Sequence, residues 1–231
     1  MRIEDLNWMD VEKYLKQDDR LILVLGACEQ HAHLSLLTDI KIPLALADAA
    51  SRQTGVLVAP PLNFGVSPYF LKYPGTMSLR VSTFIAAVED LVRSAHGQGF
   101  RRILVLNGHG GNSPARNHLY EVNNSLPDLK LNWYDWWTSH STEAVAVKHN
   151  LKPTHANWLE AFPFTIVGDL PEEDKVPPSV PRAVMDASTA RQVYGDGSFG
   201  GKYRASDEVM HELFNAALED VLRLLKFEGG G

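Results

Sequence analysis

The stretch RLILVLGACEQHAHLSLLTDI, residues 20–40, decides the fold class. Its first part, Leu21 to Ala27, is an apolar run of the length that reads as a buried strand. Its second part puts Glu29, His31, His33 and Asp39 within eleven positions. They lie just past the strand's carboxyl end, where α/β proteins place their chemistry. Glu29 and His31, two apart, leave the same side of an extended segment, and Asp39 stands at the entrance of the next helix. Two ligands and a returning third suit a metal ion. The same residues also have an ordinary reading, with Asp39 as the N-cap of a helix whose first turn contains Pro43, and His31 and His33 as solvated loop residues.

Working outward, GVLVAPPL (55–62) and RRILVLNG (101–108) repeat the pattern of a core strand followed by a turn rich in Gly, Pro or Asn. Between the strands lie the helical patterns PLALADAASRQT (43–54) and STFIAAVEDLVRSAHGQG (82–99), the second closed by glycine. Strands alternating with helices predict a mostly parallel central sheet covered on both faces, a layered α/β/α arrangement. DLKLNWYDWW (128–137) is a fourth strand candidate, and residues 205–227 form a closing amphipathic helix with Ser206 as N-cap. Residues 163–203 show little periodicity and are expected to wrap the domain irregularly or to meet another subunit. The whole chain, residues 1–231, reads as one domain, with 228–231 as a flexible tail.

Composition limits the partners. The chain has 231 residues, 45% of them hydrophobic, enough for one sizeable core. Its 22 basic and 28 acidic side chains give a net charge of -6, and neither sign gathers into a run. Nucleic acid and an anionic membrane surface are therefore not expected as partners, and a small polar ligand fits better. No apolar run approaches the roughly 20 residues of a membrane helix. A lone cysteine, Cys28, forbids an internal disulfide framework, and the start MRIEDLNWMD has no signal-peptide pattern, so the expectation is a cytoplasmic protein.

Two further segments carry chemistry. VLNGHGGNSPARN (105–117) again follows a buried strand, and Gly108, Gly110 and Gly111 let the backbone turn sharply around His109 and offer N–H groups to an oxyanion. It lacks the ending of a P-loop and the spacing of a dinucleotide fingerprint. THANWLEAF (154–162) holds His155 and Glu160 five residues apart. On one continuous helix they would point about 140° apart, so they have different jobs or the helix begins between them. Three carboxylates and two or three histidines in strand-end loops are an O/N donor set suited to zinc, manganese or iron.

EQHAHLSLLTD (29–39), GVSPYFLKYPGTMSL (65–79), NGHGGN (107–112) and HANWLEA (155–161), in that order, resemble the creatininase (creatinine amidohydrolase) family. The resemblance implies a layered α/β/α fold, a two-metal hydrolase site and a homo-oligomer, commonly a hexamer. Carried over by position, Glu29 and His109 would bind one divalent ion, His31 and Glu160 the other, and Asp39 would bridge them. Zinc is the first choice of metal, with manganese or iron as alternatives. His155 takes the place of the histidine beside the substrate, where it passes a proton to the leaving group, and Glu160 shares the catalytic centre.

The chain also departs from the family pattern. It is one residue shorter between His31 and Asp39, which bears on His33, and it has Tyr69 and Phe70 where relatives often carry a histidine. These changes spare the ligands and fall where substrate is read, which points away from creatinine itself. Tyr69, Phe70, Gly110, Gly111, Trp136 and Trp137 are the expected substrate contacts, with Trp133 a further wall candidate; core or subunit burial is the alternative for the tryptophans.

The implied activity is hydrolysis at a carbonyl, of a cyclic amide, a formamide or a related small polar compound, by a metal-activated water. The alternative substrate is a cyclic ketone or ketosugar ring, such as an inositol-derived diketone. A thiol nucleophile at Cys28 and a non-catalytic ligand-binding protein on the same scaffold are the remaining readings. Glu29 beside Cys28 disfavours a thiolate.

Overall fold

In the computed structural model, which describes residues 1–228, four parallel strands form one sheet in the order β2-β1-β3-β4. They are β1 (Arg20–Leu25), β2 (Leu57–Val58), β3 (Arg102–Asn107) and β4 (Lys130–Asp135). The helices are α1 (Trp8–Leu15), α2 (Thr38–Thr54), α3 (Val81–Gln98), α4 (Ser113–Ser125), α5 (His140–Lys148), α6 (Ala187–Tyr194) and α7 (Asp207–Leu224). The expected tail, apart from Glu228, lies outside the described residues.

The two-residue period of the strands builds the layers. Ile22, Val24, Leu104 and Leu106 point to one face and pack with residues of α2, α5 and α7. Leu21, Leu23, Leu25, Ile103 and Val105 point to the other and pack with α3, α4 and the apolar side of α1. Both faces are buried, which is why β1 and β3 read as unbroken apolar runs instead of alternating ones. No helix among the described residues is long and apolar enough to cross a membrane.

The chain order fixes where a ligand site can form. From β1 the chain passes through α2 to β2 on one side, then through α3 to β3 on the other side of β1. The strand order therefore reverses between β1 and β3, and the crevice beyond their carboxyl ends is where open α/β sheets bind ligands. The loops that start at Gly26 and Gly108 both open into it.

Several expectations change in detail. The second strand shrinks from 55–62 to Leu57–Val58, because the Pro60–Pro61 pair supplies no N–H groups to a ladder. Helix α2 starts at Thr38, five residues before Pro43, so Pro43 lies inside the helix and past its first turn. Asp39 is not an N-cap, since Leu37 occupies that position. Ser206 does cap α7, accepting from Val209 N. The stretch 163–203 is mostly irregular as expected, yet it contains α6, started by Asp186 accepting from Ser188 N and Thr189 N.

Candidate metal centre

The bottom of the crevice is set by helix α2. Pro43 has no N–H, so the carbonyl of Asp39, four residues earlier, has no partner from the helix. That oxygen instead faces the strand ends: a Cβ added to Gly26 would lie 2.4 Å from it, and one added to Gly108 only 1.9 Å. Only glycine at both places lets the first turn of α2 press onto the ends of β1 and β3. This contact sets Asp39 between the two loops.

Five acidic and imidazole side chains then meet in a buried cluster. Asp39 Oδ1 is 3.0 Å from His31 Nε2, and Asp39 Oδ2 is 2.9 Å from His109 Nδ1. Glu160 Oε1 lies 3.6 Å from His31 Nε2, and Glu29 Oε2 lies 3.5 Å from His109 Nε2. Glu29, His31, Asp39, His109 and Glu160 are all buried. The one carboxylate between two imidazoles divides the cluster into Glu29–Asp39–His109 and His31–Asp39–Glu160, each compact enough to hold a metal ion.

The outer ring nitrogens show what the inner ones are for. His31 Nδ1 is 3.1 Å from the Glu29 carbonyl, and His109 Nε2 is 2.9 Å from the Val66 carbonyl. A carbonyl only accepts, so those nitrogens carry the protons of the neutral rings and the inner nitrogens, His31 Nε2 and His109 Nδ1, keep lone pairs aimed at carboxylates. Pinning the outer nitrogen to a carbonyl is the usual support of a metal-ligating histidine. His31 Nε2 and Asp39 Oδ2 are buried without any hydrogen-bond partner, an expensive arrangement unless a cation completes it. The donor set fits divalent metal.

In the metal-free protein, protons stand in for the cations. Burial works against a charged His109, but the carboxylates of Glu29 and Asp39 prevail and lift it to about 9. Burial likewise opposes a charged His31, and Asp39 with Glu160 raises it well above its ordinary value. Burial would raise Asp39, yet the two imidazoles hold it well below the usual carboxylate range. Glu29 is raised, chiefly by burial. Three carboxylates and two imidazoles remain net negative even with both rings protonated, whereas two divalent ions would leave the cluster one unit positive.

His155 stands beside this cluster. The 3-10 turn Trp158–Glu160, capped by the Asn157 side chain, begins between His155 and Glu160. Of the two arrangements open from the sequence, the second holds: no continuous helix separates the side chains. Ala156, at φ 53°, bends the chain so that its N–H donates to Glu160 Oε2 at 2.6 Å. The His155 ring stacks on Phe70 at 5.0 Å between centroids and lies 4.5 Å from the His31 ring. Its Nδ1 is 3.9 Å from Glu29 Oε1, which makes Glu29, His31 and His155 a third set within metal-holding reach. Burial and then the charge of His31 push His155 well below the ordinary histidine value, so the ring is neutral.

Above the cluster opens a cavity of about 680 Å³, within the range of small-molecule sites. Tyr69, Phe70, Gly110, Gly111, Trp137, His155 and Glu160 line it. Trp136 does not: it is fully buried in the α2/α5/α7 core, so its expected substrate contact is corrected. Strand β4 ends just before it, and of this tryptophan pair only Trp137 turns to the crevice. Trp133 is only half-buried, and its Nε1 donates to Asp135. His33 turns away toward Asp196 at 3.8 Å and the edge of Tyr203. Cys28 is buried with its thiol on the Gly75 carbonyl, and burial raises that thiol; it does not line the cavity.

The sequence reading missed Phe199, Ser67 and Gln30. Phe199 lies in the aperiodic stretch, where no pattern marks it. Ser67 Oγ sits 3.2 Å from His109 Nε2, and a lone serine after a strand gives no signal. Gln30 stands between two of the clustered donors, but an amide is not read as a metal ligand.

Comparisons with known proteins identify the family. A profile of the Creatininase family, described as creatinine amidohydrolase, matches residues 4–225. Among curated proteins, the creatinine amidohydrolase of Pseudomonas putida is 32% identical over 48% of this chain and 45% of its own length. The 3-dehydro-scyllo-inosose hydrolase of Thermotoga maritima is 28% identical over 57% of this chain and 44% of its own. The mycofactocin precursor peptide peptidase of Mycolicibacterium smegmatis is 35% identical over 41% of each chain. The matched part thus spans under half the length of these relatives. A crystal structure of creatinine amidohydrolase (creatininase) superimposes with a TM-score of 0.84 at 21% identity, covering 99% of this chain and 98% of that one. Two more structures of the same fold are described as a creatininase mutant of "Zn-Zn type" (TM-score 0.84, 21% identity, covering 98% of this chain and 97% of that one) and as "Creatininase Mn" (0.82, 20%, 98% of each). With its family profile running through nearly the whole chain, the protein belongs to the creatininase family.

Proposed function

We propose that the protein is a hydrolase that holds two divalent ions and cleaves a small polar substrate at a carbonyl, as in a cyclic amide or formamide. The observation that carries this is the division of the buried cluster by Asp39 into two donor sets, with lone pairs and carboxylate oxygens facing each other unpaired. Glu29 and His109 would hold one ion, His31 and Glu160 the other, and Asp39 would contribute to both. Zinc is the first choice, with manganese or iron as alternatives. Such a pair, when bound, supplies Lewis acidity and acidifies water near neutral pH.

The chain's own groups do the rest. Gly110 and Gly111 bring main chain to the cavity wall next to His109, where N–H groups stabilise a developing oxyanion. His155 turns Nδ1 toward Glu29 in the cluster and serves as a hydrogen-bond donor that stabilises charge on the leaving atom. Glu160 stands at both the donor set and the cavity, fixed by its bond from Ala156 N. Tyr69, Phe70, Trp137 and Phe199 form flat walls suited to a ring. No Lys or Arg is among the described residues lining the cavity.

Opening of a cyclic ketone or ketosugar ring is the second reading, supported by the inosose hydrolase relative and by the aromatic walls. The complete donor set speaks against a purely ligand-binding protein. A homo-oligomer, a hexamer by family likeness, belongs to the same proposal and is read by light scattering. The functional test is a screen of zinc- and manganese-loaded protein against cyclic amides, formamides, short peptides and cyclic ketosugars. Metal-dependent turnover of a cyclic amide or formamide is expected. Turnover of ketosugars alone selects the second reading, and turnover that survives complete metal removal overturns both.

A further inference from the structure

Gln30 lies between the ligands Glu29 and His31, yet its side chain turns away from the metal cluster and is buried. Its Oε1 accepts from Ala32 N at 3.1 Å, and its Nε2 donates to the Gly197 carbonyl at 3.1 Å. A main-chain N–H can only donate and a carbonyl can only accept, so these two partners fix which end of the amide is oxygen. Gly197 is shaped for this contact: it has φ 106°, and a Cβ there would lie 1.7 Å from Gln30 Oε1.

The second hydrogen on that amide nitrogen has one partner, His155 Nε2, at 2.9 Å. Because Gln30 donates, His155 Nε2 must present its lone pair. We infer that Gln30 is a positioning residue that holds the proton of the neutral His155 ring on Nδ1, the nitrogen facing Glu29 and the cavity. Phe70, stacked on the ring at 14°, and Phe199, 4.9 Å away between centroids, keep it from turning to exchange its edges.

Two consequences follow from chemistry alone. A nitrogen that bears a proton cannot ligate, so His155 stays out of the third donor set with Glu29 and His31. A protonated ring would set an N–H against the Gln30 N–H, so the ring works as a neutral hydrogen-bond donor at Nδ1, as a pre-aligned electrophile does. The inference rests on the reading of His155 as the donor beside the metal pair.

The test is ¹⁵N NMR of zinc-loaded protein labelled at histidine nitrogens, with the His155 signals assigned by their loss in His155→Ala. A protonated-type shift at Nδ1 and a lone-pair shift at Nε2 are expected. In Gln30→Met, of similar bulk but without the donor, or Gln30→Leu should the first not fold, this one-sided pattern should collapse to a tautomer mixture at unchanged metal content. A proton on Nε2 in the parent, or an unaltered pattern in the folded Gln30 variant, would overturn the inference while leaving the metal site standing. A metal-type shift at Nδ1 would make His155 a ligand and overturn the donor reading beneath it.

Discussion

Asp39 Oδ2 lies 2.9 Å from His109 Nδ1, while the other nitrogen of the same ring is committed to the Val66 carbonyl. For a neutral ring this sets a lone pair against a carboxylate in a buried place, an arrangement that needs a proton or a metal ion between the two. The opposite oxygen of Asp39 stands in the same relation to His31 at 3.0 Å. This double relation makes Asp39 the hinge of the site and distinguishes its role from those of Glu29 and Glu160.

Replacing Asp39 should therefore cost both ions, not one. Asp39→Ala is expected to reduce metal content to trace after reconstitution and dialysis, as measured by elemental analysis. Asp39→Asn should behave in the same way, because the amide offers one oxygen instead of two. One ion retained at parental affinity would show that Asp39 does not bridge.

Protons and metal compete for His109, and the sign follows from its shift. In the stripped protein His109 is raised from 6.5 to about 9. Its protonation thus contributes stability fully below pH 6.5 and loses that contribution as pH rises through about 9. Metal needs the ring neutral, so metal affinity rises over the same window as protons are released. The difference in Tm between loaded and stripped protein should widen from pH 6.5 to pH 9. Calorimetry that finds a constant or narrowing gap would refute the proton-for-metal exchange.

Gly108→Ala tests the packing that places Asp39. The new methyl group would meet the Asp39 carbonyl, which is backbone and cannot swing aside. Relief must come from moving the first turn of α2 away from β3. Overpacking of this kind costs about 1–3 kcal/mol, and here it should also lower metal affinity, since Asp39 moves with the turn. Gly97→Ala, with nothing within 4 Å of the added atom, is the control, and a helix position there favours alanine. Equal metal affinity in both variants would separate the turn from the site.

Much of the fold was legible because its strongest signals are local. β1 and β3 are buried on both faces, so each is an unbroken apolar run, and its short length, branched side chains and following turn residues mark it as a strand. β2 was overextended, since GVLVAPPL carries the right side chains and only its prolines limit the ladder. The donors were legible as residue types, and the family resemblance implied their division into two sets; only Glu29, His31 and His109 follow strand ends, while Asp39 opens α2 and Glu160 lies in a 3-10 turn that follows no strand. What the sequence could not supply is contact between distant segments. Nothing in THANWLEAF says that its histidine meets Gln30, and nothing in the aperiodic stretch says that Gly197 and Phe199 return to the crevice. Trp136 and Trp137 are neighbours with opposite fates, because a 3-10 turn at the end of β4 sends one into the core and one to the cavity.

His155 separates catalysis from metal binding. His155→Ala should keep its metal and fold, because the ligand set does not include it. Turnover of a substrate found by the screen should fall on the order of 10²-fold or more, the scale of losing a hydrogen-bond donor to developing charge. Substrates with better leaving groups should suffer less. Loss of metal in this variant, or parental turnover, would show that the ring has another role.

The central claim is that one buried carboxylate holds two ions between two histidines. Anomalous diffraction from crystals of the zinc-loaded protein tests it most directly. The account predicts two zinc peaks per chain, one among Glu29, Asp39 and His109 and one among His31, Asp39 and Glu160, with His155 outside both. A single peak, or a peak ligated by His155 in place of Glu160, would contradict it.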